Sequence, residues 1–125
     1  MAWNIQPSRE EIAFLMEAGV IYRDARRFPE AEEVFRGVRA LTPRSEVPEV
    51  ALGTVQFAMG EVQKAIGHYE KALKLNAASA FAHAQLGEAL VFRRIALRRR
   101  SIWTKRWGWT RAVRLAHRPA HFWNC

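Results

Sequence analysis

The sequence predicts an all-α fold, a helical solenoid of two complete repeats and part of a third, and three observations predict it. First, one pattern is written twice at a single fixed interval: Leu15, Gly19, Tyr22, Ala31, Phe35, Val38 and Pro43 are followed by Glu49, Gly53, Gln56, Ala65, Tyr69, Ala72 and Ala77. Second, apolar residues between these landmarks recur at helical spacing. Third, capping residues and prolines fall where such helices begin and end. A third step of the pattern finds His83, Leu86, Gly87 and Leu90 and then fails, because Arg99 and Arg106 stand where small or apolar residues are required.

The elements follow in order, with helices expected near residues 8–25, 29–42, 46–59, 63–76 and 80–93. Ser8 and Glu11 form a capping box ahead of Ile12, Leu15, Met16, Gly19, Val20 and Tyr22. Asp24 to Phe28 is a turn, and Pro29 suits the first turn of a second helix carried by Ala31, Val34, Phe35, Val38 and Leu41. Pro43 ends that helix pair. Ser45 caps the third helix, with Pro48 in its first turn, and Gly60 closes it. Val62, Ala65, Ile66, Tyr69, Ala72 and Leu75 make the fourth helix, and Ser79 caps a fifth built on Phe81, Ala82, Leu86, Ala89, Leu90 and Phe92.

Mid-helix glycine costs about 1 kcal/mol against alanine. Gly19 and Gly53 are therefore expected where a neighbouring helix approaches closely, with Ala31 and Ala65 serving the same contact. Phe35 and Tyr69 are expected to fill the space between successive pairs. These residues, and the interval that separates their two copies, resemble the tetratricopeptide repeat (TPR), with two helices per repeat. The run from Gly53 to Arg94, with Ala58-Met59-Gly60, Ala65-Ile66, His68-Tyr69, Ala72 and the His83 to Leu90 stretch, is similar to the class II chaperones of bacterial type III secretion. That resemblance covers roughly residues 12–94. It implies a cytoplasmic protein that holds an extended segment of a hydrophobic client in a concave groove, with a homodimer among the assemblies it allows. The chain departs from those chaperones in having few residues before the first repeat and no recognisable second helix in the third.

The groove of such a superhelix is lined by the first helix of each pair. Counting turns from the glycines places Ala13, Met16, Val20 and Arg23 there, then Val50, Thr54 and Phe57, then Phe81, Ala84, Glu88 and Phe92. This row is largely apolar, which points to a protein or peptide partner. Its residues offer no lysine and asparagine clamp for a terminal carboxylate.

The net charge of +8 over 125 residues is unevenly spread. Residues 1–94, the expected repeat domain, hold 12 Lys+Arg and 12 Asp+Glu, whereas residues 95–125 hold 8 basic residues and no acidic one. Trp103, Trp107, Trp109 and Trp123 also lie in that basic segment. Two accounts fit it equally: a capping helix over residues 95–116 that snorkels its arginines, or a native continuation replaced after a change of reading frame in a GC-rich gene. Arginines interleaved with aromatics also define the alternative function, association with RNA or an anionic membrane.

No Gly-rich phosphate loop, nucleophile motif or paired carboxylates occur, so an enzyme is not expected, and no cofactor is implied. His117, His121 and Cys125 recur every fourth residue, but Pro119 interrupts them and a structural zinc site needs a fourth ligand, so no metal is expected. His68 and His83 have no carboxylate at a diagnostic spacing, and Glu32-Glu33 and Glu10-Glu11 read as solvated helix faces. The lone cysteine, Cys125, allows no internal disulfide, and the first eleven residues lack the layout of a signal peptide. A cytoplasmic location is the expectation.

Overall fold

The computed structural model of the chain describes residues 6–107, without the side chains of 103, 104, 106 and 107. Five α-helices follow one another: α1 (Arg9–Asp24), α2 (Phe28–Leu41), α3 (Val47–Ala58), α4 (Val62–Leu75) and α5 (Ala80–Trp107). No strand occurs among the described residues. The first four helices lie within one or two residues of their expected bounds. The fifth corrects the expectation, because it runs unbroken past Arg93 and leaves no separate sixth helix starting after Arg94. The physical reason is composition: between Arg94 and Trp107 there is neither glycine nor proline, and Arg, Ala and Leu are strong helix formers. The chain forms two compact units, Met1–Leu90 and Val91–Cys125.

The caps follow from the residues predicted to make them, with one exception. Ser8 Oγ accepts the Glu11 N–H at 3.2 Å while the Glu11 carboxylate accepts the Ser8 N–H at 2.8 Å. Ser79 Oγ accepts the Ala82 N–H at 3.2 Å at the start of α5. At α3 the N-cap is Glu46, which makes no side-chain cap bond, and Ser45 instead accepts the Val47 N–H at 3.3 Å. Pro48 in the first turn of α3, like Pro29 in that of α2, removes an N–H that has no helical partner anyway.

The turns repeat as the sequence does. After α1, N–H groups of Ala25, Arg26 and Arg27 reach the carbonyls of Ile21, Arg23 and Tyr22; after α3, those of Met59, Gly60 and Glu61 reach Val55, Phe57 and Gln56, each bond shifted by one repeat. Both turns need one left-handed residue. Gly60 supplies it at φ +84°, and Arg26 supplies it at φ 61° with a Cβ that disfavours that conformation.

The packing repeats too. α1 packs on α2, α2 on α3, and α3 on α4. A Cβ built on Gly19 would overlap the Phe35 ring, and one built on Gly53 would overlap the Tyr69 ring. Each glycine thus lets an aromatic ring of the next helix lie directly on its backbone, and the alanine one turn before each ring, Ala31 or Ala65, is fully buried. Phe35 also clusters with Ala51, Leu52 and Val55 of α3, while Tyr69 clusters with Val50 of α3 and with Ala82 and Ala89 of α5. The rings therefore fill the space between pairs, as expected, and seal the contact within each pair as well.

Candidate binding cleft

Helices α1, α3 and α5 present side chains to one open cleft of about 470 Å³, lined by Val20, Arg23, Thr54, Phe57, Ala58, Phe81, Gln85 and Glu88. Its geometry derives from the repeat spacing. Val20, Thr54 and Glu88 occupy the same position on three successive odd-numbered helices, and Arg23 and Phe57 occupy another. Apolar contact comes from Val20, Phe57, Ala58 and Phe81. Arg23 bonds Thr54 Oγ1 at 2.9 Å and Asp24 at 3.1 Å, and Thr54 in turn donates to the Ala51 carbonyl at 2.6 Å. These bonds hold the guanidinium across the α1–α3 junction rather than out in water. Beneath the cleft, burial and then the charge of Glu88 push the Tyr69 hydroxyl up to about 12 against the opposing pull of Arg23, so Tyr69 stays neutral at physiological pH.

Six of the eleven expected groove residues line this cleft: Val20, Arg23, Thr54, Phe57, Phe81 and Glu88. Val50 is a correction, being fully buried in the core with Ala65, Ile66 and Tyr69. Met16, its equivalent in the preceding repeat, packs against the Ala31–Phe35 cluster, so this helix position faces the paired helix and not the cleft. Ala84, the equivalent in the following repeat, is exposed and lies outside the cleft lining. Ala13 is exposed and Phe92 is half exposed, and neither lines it. Ala58 and Gln85 complete the cleft; both lie on cleft-facing helices one residue from an expected position, a rotation that counting turns does not resolve.

A polar seam on the other side of α3 escaped the sequence reading altogether. Glu49 is buried, yet its carboxylate meets His68 Nδ1 at 2.7 Å and Arg39 at 3.3 Å. Burial pushes this carboxyl up, but His68 and Arg39 outweigh it and hold the group below its ordinary value. Glu32 is likewise no solvated residue: it accepts from Gln56 at 2.6 Å and from Arg36 at 3.4 Å. His68 therefore has a carboxylate partner, contributed by the neighbouring helix at a separation that carries no local signature.

Among the described residues no group of three His, Cys, Asp or Glu side chains could hold a metal ion. His117, His121 and Cys125 lie outside the described residues, as do Trp109 and Trp123. No described helix is long and apolar enough to cross a membrane. Compared with known proteins, the chain matches no family model and no curated protein.

Proposed function

We propose that the chain is a tetratricopeptide-type repeat protein that holds a short extended segment of a client protein in the α1–α3–α5 cleft, as a chaperone or adaptor does. The observation that carries this reading is the cleft's lining: Val20, Phe57, Ala58 and Phe81 give apolar contact, and the polar side chains of Arg23, Gln85 and Glu88 share the lining with them. An apolar lining with a few polar groups suits an extended peptide, whose side chains alternate and whose backbone needs hydrogen-bond partners. The type III secretion chaperones belong to this reading through the sequence resemblance alone.

Peptide display against the full chain tests it. Short peptides bearing one or two large apolar residues should be enriched, and Phe57→Ala with Phe81→Ala should weaken their binding at least about tenfold while helicity stays unchanged. Enriched peptides that bind the double variant as well as the parent would refute the reading.

A second reading is supported by α5 beyond Leu90. Every residue from Val91 to Ile102 is exposed, and no acidic residue follows Glu88 in the sequence. Arg94, Arg98 and Lys105 share one side of the helix, Arg99 lies on another, and Arg93 and Arg100 on a third, so positive charge surrounds the described part of the rod. A helix lying on a lipid surface needs an apolar face uninterrupted by charge, and here Arg99 stands among Val91, Phe92, Ile95 and Ile102 on one side of the helix, whereas a nucleic-acid groove offers phosphates on both walls. Nucleic acid is the better fit of the two, and a binding constant that falls steeply with salt is its test.

A further inference from the structure

Gly87 stands one repeat after Gly53 and two after Gly19, on the third helix of the same series, and among the described residues nothing lies within 4 Å of a Cβ built there. The two earlier glycines are buried under the Phe35 and Tyr69 rings. The surrounding positions differ in the same sense. On α3, Glu49, Val50 and Gln56 are buried, 5%, 0% and 9% exposed. Their counterparts on α5, His83, Ala84 and Leu90, are all exposed. α5 thus repeats the face that α3 turns chiefly to α4, with Gln56 at its edge reaching Glu32 of α2, and among the described residues that face of α5 is uncovered.

We propose that this face, centred on Gly87 and bordered by His83, Ala84 and Leu90, is a docking site for a helix of a partner protein that carries an alanine and, one turn later, an aromatic residue. The occupant's chemistry is read from continuity with the interfaces already built in the chain. Phe35 covers Gly19 and Tyr69 covers Gly53, and in both copies the turn before the ring carries a fully buried alanine, Ala31 or Ala65; a bare backbone patch of the same kind is matched by the same pair of residues. A second copy of the chain has no such helix to give among the described residues, because Ala31, Phe35, Ala65 and Tyr69 are 0%, 0%, 0% and 1% exposed. The site is separate from the cleft, whose lining includes none of Gly87, His83, Ala84 and Leu90.

The probe is a synthetic, fluorescently labelled peptide with the sequence of residues 61–76, the segment that covers α3. Short isolated helices are marginal in water, so the peptide is expected to gain helicity as it binds the full chain. Binding should be saturable and should vanish when the peptide carries Tyr69→Ala. In the protein, Gly87→Leu is accommodated by open space, and leucine favours the helix, so helicity should persist. It should nevertheless weaken peptide binding at least about tenfold by filling the ring's seat. Absence of binding, or equal binding to the Gly87→Leu protein, would overturn the proposal; the latter would mean that the peptide displaces the chain's own fourth helix. Concentration-dependent dimerisation abolished by Gly87→Leu would assign the face to a second copy and overturn the partner assignment.

Discussion

Gly53 and Gly87 occupy the same position on α3 and α5, yet one lies under a tyrosine ring and the other faces open space. The difference teaches what a helix of this kind needs from its successor. A bare glycine backbone is a cost in an isolated helix, roughly 1 kcal/mol, and becomes useful only when a ring occupies the space the missing Cβ leaves. α3 has that ring and buries even a glutamate and a glutamine around it. α5 carries the same glycine without the ring.

The largest effect should come from emptying the occupied seat. Tyr69→Ala removes a fully buried side chain that joins α3, α4 and the first turns of α5, and is expected to cost about 3–5 kcal/mol in urea unfolding. A loss under about 1 kcal/mol would mean that α3 and α4 hold together without it.

The buried carboxylate of Glu49 comes next. His68→Ala leaves Glu49 with Arg39 alone and should cost about 1.5–3 kcal/mol at neutral pH. The sign of the acid dependence follows from Glu49, whose carboxyl is held below its ordinary 4.5 in the folded state. Its ionised form contributes stability above that ordinary value, and the contribution is lost as pH falls through the lower folded value. The stability gap between the parent and Glu49→Gln should therefore narrow as pH drops from about 5 to 3. A gap constant across that range would remove the pairing from the account.

Smaller still is the turn after α1. Arg26→Gly relieves a left-handed arginine where the equivalent turn already uses Gly60, at the loss of the arginine's stacking 5.5 Å from the Phe28 ring. A net gain of up to about 1 kcal/mol is expected, and destabilisation would show that the stacking outweighs the strain. Smallest of all is the effect of ending the chain after Arg94. The residues removed up to Ile102 are exposed, so the melting midpoint should move by the equivalent of no more than about 0.5 kcal/mol. A large drop would make the basic segment a cap.

Much of this was legible in the sequence because it is local or periodic. Ser8 with Glu11, Gly60 after α3, and the repeat spacing of Gly19 and Gly53 each state a backbone requirement in one or two residues. The polar seam was illegible for the opposite reason. Glu49 and His68 meet across two helices, and nothing in either local stretch distinguishes a paired glutamate from a solvated one. Val50 was misplaced because the cleft side and the paired side of α3 are both apolar, so hydrophobicity alone cannot say which way the residue turns. The end of α5 was misjudged because a failing repeat pattern was read as a failing helix; the residues after Arg93 lose the repeat's small positions but keep every requirement of an α-helix.

The most direct measurement compares Gly53→Ala with Gly87→Ala in the full chain under identical urea unfolding conditions. The two changes are chemically the same and fall on the same helix position. At Gly53 the new methyl group must displace the Tyr69 ring, and a loss of about 1–3 kcal/mol is expected. At Gly87 it enters open space and should stabilise the chain by about 0.4–1 kcal/mol. Opposite signs are the predicted result; equal effects of the same sign would contradict the claim that α5 repeats the face of α3 with its seat empty.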